Sequence, residues 1–327
     1  MRWMTGDRGA TAVVVAVLMT ALLGVTGLAI DAAALYQERR ELSNAADAAA
    51  LAIAEDCALE TRPCDESTAT ATAQDYADGN SRDRASGIAG VSIDYAGRSV
   101  TVETTTRNSD GSGLLRPFFA QVVGYDGTAV GARATAIWGH PRALRGLLPL
   151  IISRCEFPEG TALPTPAMVI YFHDGSNTEP CNAQAGLDAD NDGFLAGGFG
   201  WLGTGGDCEL PLAAGTWTGA DPGTSPTTGC GVDAVRDLLF EEVPLPIFDD
   251  ADGISGVGSG GRYHILGFAL FHITGYNFGG LYKAPSATEA PCQGDERCIS
   301  GFFTTGVVYE GEPGGEDQGI VIVKLVE

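Results

Sequence analysis

The sequence has few basic residues. It contains 19 lysines and arginines against 42 acidic residues, which gives a formal net charge of -23 at pH 7. Nucleic acids and anionic membrane surfaces select for basic protein faces. The charge balance therefore argues against nucleic acid as a partner.

Motifs that mark common active sites are absent from the sequence as well. It has no G-x-S-x-G, no H-E-x-x-H and no G-x4-G-K pattern, which would place a serine nucleophile, a zinc site or a phosphate-binding loop. His264 and His272 share one apolar run, where a core or hydrogen-bonded histidine is the favoured interpretation. We expect a protein that is not an enzyme and needs no cofactor.

The longest hydrophobic run is residues 10–30, which contain no charged residue. About 20 apolar residues cross a hydrocarbon core, so membrane lipid is the predicted partner of this segment. Arg2 and Arg8 precede the run and Asp31 follows it, so the positive-inside rule places residues 1–9 in the cytoplasm and exports the rest. A cleaved signal peptide is the alternative. The apolar run exceeds the roughly 7–15 residues of a signal core, which favours a single-pass anchor in the cell membrane.

Cysteines lie only beyond this segment, and their number is even. The sequence contains no C-x-x-C pair, which argues against zinc and for disulfides in an exported chain. Two pairs, 57/64 and 292/298, are close enough to form short loops, while the middle four cysteines allow three connectivities. The eight residues are Cys57, Cys64, Cys155, Cys181, Cys208, Cys230, Cys292 and Cys298.

A helical pattern continues after Asp31. Residues 31–56 contain no Gly or Pro and many strong helix formers. Joined to the apolar run they predict one helix of about 47 residues, about 70 Å long. Five residues at spacings of three, four or seven form one stripe, the predicted packing surface: Leu35, Leu42, Ala46, Ala49 and Ile53.

The segment from Arg8 to Ala54 resembles the N-terminal domain of the TadG-like family. The resemblance rests on the apolar run, Leu35-Tyr36, Arg39-Arg40 and the stretch Asn-Ala-Ala-Asp-Ala-Ala-Ala-Leu-Ala at residues 44–52. Proteins of this family accompany the Flp, or Tad, type IVb pilus assembly machinery of bacteria. The resemblance implies TadE-like or other pilus assembly components as partners.

One departure from prepilins concerns the start of the helix. Prepilins are cut after a Gly that precedes the apolar run, and they usually carry Glu at the fifth mature position. A cut after Gly9 would put Val14 there. This favours an uncut accessory protein over a pilus subunit.

The pattern of residues 31–140 predicts the stalk helix and a small pilin-like α+β head. Residues 67–78 read as a short helix, and 88–94 with 99–106 alternate like a hairpin. Residues 114–123 read as a short helix ended by Gly124, and 128–138 as a strand. The fold class is α+β.

Residues 141–327 form the second predicted domain. Residues 151–327 carry a net charge of -19, against -4 for residues 1–150. Apolar runs such as 263–274 read as strands, and 232–242 has helical spacing. We expect a mostly β, Gly-rich, disulfide-bonded extracytoplasmic domain.

Asp188, Asp190 and Asp192, followed by Gly193, match the first half of an EF-hand loop. Phe199 stands where the loop needs a bidentate Glu, which argues against a true EF-hand. A looser calcium site and an acidic surface turn are the two remaining interpretations.

Two functions fit the sequence. The first is a single-pass accessory protein of Flp pilus assembly or secretion, acting by helix packing and an exported interaction domain. The alternative is a membrane-anchored extracytoplasmic binding or adhesive module, with calcium as a possible stabiliser.

Overall fold

The structure is a computed structural model in which the chain divides into two compact units. Unit 1 comprises Met1–Ile137 with Leu325–Glu327, and unit 2 comprises Trp138–Lys324. The structure describes residues 7–326 apart from 83, 109, 158–159, 161, 173–180, 183–193, 196–197, 222, 224, 253–260 and 285–295. It describes the backbone alone for residues 7–9, 123, 146, 181–182 and 194–195.

Among its described residues, unit 1 contains two α-helices, three consecutive antiparallel strands and one short 3-10 helix. The order along the chain is α1 (Asp7–Leu59), α2 (Glu66–Asn80), β1 (Ser86–Asp94), β2 (Ser99–Thr106), the 3-10 helix Ala120–Val123 and β3 (Gly131–Gly139), whose last residues enter unit 2. The predicted continuous helix is confirmed as α1, whose 53 residues extend for about 80 Å.

Small side chains bring the two helices close together. The α2 face that is buried presents Ala69, Ala73 and Ala77, and it packs against α1. Asp65 begins α2 as its N-cap: its Oδ1 accepts hydrogen bonds from the backbone N–H groups of Ser67 and Thr68, each at 2.9 Å. The cap satisfies donors that the first turn leaves without a helical partner.

The predicted hairpin is confirmed, with Asp94 opposite Ser99 at the turn. The Asp94 carboxylate accepts hydrogen bonds from the backbone N–H groups of Ala96 and Gly97, at 3.0 and 2.9 Å. Inward-facing residues alternate along β2, where Val100 and Val102 are fully buried. The sheet covers α1 on this side.

Unit 2 is mostly β, as predicted. Its elements are β4 (Pro141–Leu147), β5 (Leu150–Ser153), the 3-10 helix Arg154–Glu156, β6 (Met168–Tyr171), β7 (Cys181–Asn182), β8 (Phe194–Leu195), β9 (Phe199–Leu202), β10 (Leu210–Ala213), β11 (Trp217–Asp221), α3 (Val232–Arg236), β12 (Glu242–Asp252), β13 (Arg262–Gly279), β14 (Tyr282–Ala284), β15 (Cys298–Thr304), β16 (Gly306–Val308), β17 (Glu312–Pro313) and β18 (Ile320–Val326), which ends in unit 1.

The main sheet of unit 2 closes on itself. Its order is β11-β9-β5-β12-β13-β15-β6, and β11 also pairs with β13. Five strands therefore form a ring, in which β5 and β12 are parallel and the other pairs antiparallel. Closing the ring satisfies backbone groups that an edge would leave open.

Both faces of this sheet are buried, because successive residues of a strand point to opposite sides. In β5, Leu150 and Ile152 belong to one apolar cluster with Phe199 and Trp201. Ile151 between them belongs to a second cluster, which includes residues of β4, β10 and β18. The 18-residue strand β13 serves both clusters, so the apolar run at 263–274 is a central strand.

Two predicted helices are shorter than expected. Between residues 232 and 242 the helix ends at Arg236, and β12 begins at Glu242. Between residues 114 and 123 a 3-10 helix forms from Ala120 to Val123. Pro117 precedes it, and a proline disfavours helical geometry at the residue before it.

The N-cap of α2 predicts a pH-dependent stability. Hydrogen bonds from Thr68, through its N–H and hydroxyl, and from the Ser67 N–H hold the pKa of Asp65 below its ordinary value of 3.8. The stabilisation is therefore complete above about pH 4 and is lost as the pH falls through the folded-state pKa. We expect Asp65→Ala to lower the melting temperature of the full-length protein in detergent at pH 7, with the difference shrinking below pH 4.

Asp65→Asn is the matched control, because Asn caps helices about as well without a titratable group. It is expected to keep most of the melting temperature at pH 7. An Asp65→Ala variant that melts like the wild type at pH 7 would show that the cap does not stabilise the fold.

Candidate functional site: the membrane end of helix α1 and the loop bound to it

The first half of α1 is an exposed apolar surface. From residue 10 to residue 30, every residue except Gly27 is exposed. Among the described residues, α1 is the one helix long and apolar enough to cross a membrane. The hydroxyls of Thr20 and Thr26 donate to the carbonyls four residues earlier, at 2.9 and 2.8 Å, so neither requires water. This half meets the requirements of a lipid environment.

The second half of α1 is covered by unit 1 itself. Four residues of the predicted stripe, Leu42, Ala46, Ala49 and Ile53, are buried, and Leu35 is half-buried. They lie on the half of the helix that packs against α2 and β2, where the Thr104 hydroxyl donates to the Leu42 carbonyl at 3.0 Å. The structure thus assigns the stripe to internal packing rather than to an open surface for partner helices.

Within the family-like stretch, Asp47 lies at the edge of this core. Burial raises the pKa of its carboxyl, because the charged form loses hydration. Glu41, one turn and a half earlier, forms an ion pair with Arg82 at 3.3 Å. These polar positions border the interface between α1 and the head.

A loop with several aromatic residues contacts α1 between its two halves. We call residues 114–125 the aromatic loop. Its base is closed by reciprocal backbone hydrogen bonds between Leu115 and Thr128, at 2.9 and 3.2 Å. Its far end is the 3-10 helix, which Gly124 terminates in the left-handed conformation with φ 87°. A residue with a Cβ adopts that φ less readily.

Asp31 holds the aromatic loop. Its Oδ1 accepts hydrogen bonds from the N–H groups of Phe118 and Phe119, at 2.7 and 3.2 Å. Its Oδ2 accepts from Phe119 and Ala120, at 3.0 and 2.7 Å. The side chain is buried, so a charged acceptor with four such bonds contributes more than an ordinary surface contact. Asp31 thereby acts as an N-cap supplied by another helix.

Phe119 packs onto α1 one turn before Asp31. A Cβ built on Gly27 would lie 2.7 Å from Cγ and 2.9 Å from Cδ1 of the Phe119 ring, closer than real atoms approach. Gly27 and Asp31 are four residues apart and share one face of the helix. The loop is therefore attached at two successive turns of α1, by an apolar contact at Gly27 and by hydrogen bonds to the carboxylate of Asp31.

The aromatic loop leaves large apolar side chains uncovered. Phe118 and Val122 are each 87% exposed, which is high for a phenylalanine and a valine. Leu114, Phe119 and Tyr125 are also exposed. The exposed patch of the loop adjoins the exposed apolar half of α1 through the Gly27 contact.

Sequence reasoning missed this site. It used Asp31 as the polar end of the apolar run and read residues 114–123 as a helix. The neighbouring aromatic residues Phe118 and Phe119, in a segment predicted to be exported, were the available signal for an exposed apolar surface on this part of the head.

Disulfides are present where their cysteines are described. Cys57 pairs with Cys64, as predicted, and Cys208 pairs with Cys230, one of the connectivities left open. Cys155 and Cys298 are also disulfide-bonded. The Cys181 side chain and Cys292 lie outside the described residues, as do Asp188, Asp190 and Asp192 of the predicted calcium loop.

Histidines in unit 2 take part in packing. His264 Nδ1 lies 2.6 Å from Asp249 Oδ1, and its ring lies 5.3 Å from that of Trp217. His272 stacks on Phe302 with ring centroids 4.7 Å apart. Both histidines are hydrogen-bonded or packed within the sheet, which is the interpretation favoured from the sequence.

The Asp31 contact predicts slow hydrogen exchange at three backbone amides. Asp31→Ala removes the acceptor of Phe118, Phe119 and Ala120, and a bond to a charged group contributes about 2 kcal/mol, or roughly thirtyfold in exchange. We expect faster exchange at these amides in the detergent-solubilised full-length protein, measured by mass spectrometry.

The amides of Ser67 and Thr68, capped by Asp65, are the internal control and should not change. Asp31→Asn keeps one oxygen acceptor, so the exchange rate at residues 118–120 should lie between those of the wild type and of Asp31→Ala. Unchanged exchange at residues 118–120 in Asp31→Ala would contradict the contact.

A comparison with families of known proteins matches most of helix α1. Residues 9–55 match the family described as "Putative Flp pilus-assembly TadE/G-like". Neither a curated protein nor a solved structure matches the chain. The matched segment is nearly the whole of α1. Residues 9–55 of α1 are therefore similar to the TadE/G-like Flp pilus-assembly family, which confirms the resemblance of this segment to the TadG-like family.

Proposed function

We propose that the protein is a single-pass membrane accessory protein of Flp pilus assembly or secretion, which acts by binding rather than by catalysis. The observation that carries the proposal is the coincidence of the family match with one continuous helix. One half of that helix is apolar and exposed, and the other is packed into a folded head. Such a helix suits an anchor that presents a domain beside the membrane.

The charges and disulfides support export of the head. Arg2 and Arg8 precede the apolar run and Asp31 follows it, a bias that keeps the N-terminus in the cytoplasm. The disulfides Cys57–Cys64 and Cys208–Cys230 both lie beyond the run. Disulfides persist in oxidising compartments outside the cytoplasm.

The apolar half of α1 is the surface that we assign to TadE-like or other pilus assembly partners. The stripe from Leu42 to Ile53 is already occupied by α2 and β2. In the apolar half, small residues recur at a spacing of four, namely Ala12, Ala16, Thr20 and Gly24. Small residues allow helices to approach closely in lipid, where apolar area alone gives no net attraction.

The proposed topology predicts the activity of a C-terminal fusion. A reporter that is active only in the cytoplasm, fused after Glu327, is expected to be inactive. The same reporter fused to a version with Arg2 and Arg8 replaced by Glu tests whether these charges set the orientation. An active reporter on the wild-type chain would place the C-terminus in the cytoplasm and contradict the proposed topology.

Helix packing in the membrane predicts a specific effect of a larger residue at Gly24. A Cβ at Gly24 meets no described atom within 4 Å, so we expect Gly24→Leu to leave the protein's own fold intact. We expect this variant to melt like the wild type, but to give weaker crosslinks to TadE-like partners and fewer surface pili.

Val25→Leu is the matched control, because Val25 is exposed and already large. It should retain both crosslinks and pili. Normal piliation and crosslinking in Gly24→Leu would mean that the helix serves as an anchor alone, and that unit 2 carries the function.

A further inference from the structure

We propose that the aromatic loop is a second membrane contact, which inserts Phe118 and Val122 into the outer edge of the lipid layer beside α1. The inference rests on the proposed anchoring by residues 10–30 and goes beyond it. It gives unit 1 a lipid-binding surface of its own.

The position of the loop along α1 carries the argument. Phe119 lies against Gly27, which is three residues inside the end of the apolar run, or about 4.5 Å. Asp31, the first charged residue after the run, binds the backbone of the loop. When residues 10–30 cross the bilayer, these contacts fix the loop at the boundary between hydrocarbon and headgroups.

The composition of the loop matches that depth. Phe118 and Val122 present apolar side chains, and Tyr125 presents an aromatic ring with a polar end; aromatic rings are enriched at membrane interfaces. Arg116 is exposed, and a long basic side chain can extend from this level towards lipid phosphates.

Five backbone amides of the loop already have hydrogen-bond acceptors. The amides of Phe118, Phe119 and Ala120 donate to Asp31, and the amides of Gly124 and Tyr125 donate to Gln121 and Ala120 carbonyls. Backbone groups need such partners when water is scarce. The carboxylate of Asp31, with its four hydrogen bonds, tolerates the same depth.

The surface favours lipid over a small ligand. The cavity between the loop and α1, beside Asp31 and Leu35, has a volume of about 80 Å³. Pockets for drug-sized molecules are several times larger, roughly 300 Å³ or more. The apolar side chains of the loop are exposed and adjoin the exposed apolar half of α1. The lipid that surrounds the anchor can therefore also cover the loop.

Fluorescence quenching in vesicles tests the proposal. The full-length protein is reconstituted into phosphatidylcholine–phosphatidylglycerol vesicles that contain lipids with a spin label on the acyl chain. Three single variants, Val122→Cys, Leu23→Cys and Ala96→Cys, are each labelled with an environment-sensitive dye without reduction. Leu23 reports the anchor. Ala96 is an exposed control at the hairpin turn, near the distal end of α1, where Tyr95 donates to the Cys64 carbonyl at 3.1 Å.

The expected result is strong quenching at Val122 and Leu23, several-fold above that at Ala96, with blue-shifted emission at both. Adding Asp31→Ala to Val122→Cys should reduce the quenching, because the loop is released, while quenching at Leu23 stays unchanged.

Quenching at Leu23 with none at Val122 would overturn the inference and leave the anchor intact, with the exposed loop then available to a protein partner. An unquenched Leu23 would overturn the proposed anchoring, and the loop contact with it.

Discussion

The continuity of α1 imposes opposite requirements on its two halves. A helix whose first half enters lipid, as we propose, and whose second half packs in a protein core must expose apolar side chains in the first half and bury them in the second. The sequence meets both with small and aliphatic residues, and Ala46 and Ala49 let α2 and β2 approach closely. A uniform amphipathic pattern would suit the packed half alone, because in the first half its polar face would lie against lipid.

The transition between the halves depends on Asp31. Its carboxylate ends the apolar run and at the same time orders a segment 87 to 89 residues further along the chain. The charge that marks the end of the anchor in our proposed topology thereby also binds backbone amides of the folded head. The two roles are compatible because the hydrogen bonds replace the hydration that Asp31 loses on burial.

Local pattern predicted much of the fold. The absence of helix breakers in residues 31–56 indicated α1, alternation indicated a hairpin at 88–106, and an apolar run indicated β13. The ring closure through β11 was not predictable, because it depends on which distant strands pair, for which the sequence offers no local signal. The Asp31 contact was not predictable for the same reason. Every residue except proline has a backbone amide, so the sequence of residues 118–120 gives no sign that these amides bind an aspartate. Four residues of the helical stripe are buried within the same chain, and spacing alone does not tell whether the partner of a helix face is the same chain or another.

The two-turn attachment of the loop has a consequence for how this helix tolerates change. Gly27 and Asp31 must remain four residues apart, because a single inserted residue between them would swing Asp31 around the axis by about 100°. The acceptor would then leave the amides of residues 118–120, although the apolar composition of the run would hardly alter. At the other positions of the apolar run, helical phase is therefore constrained more tightly than residue identity, and substitutions should accumulate where insertions cannot.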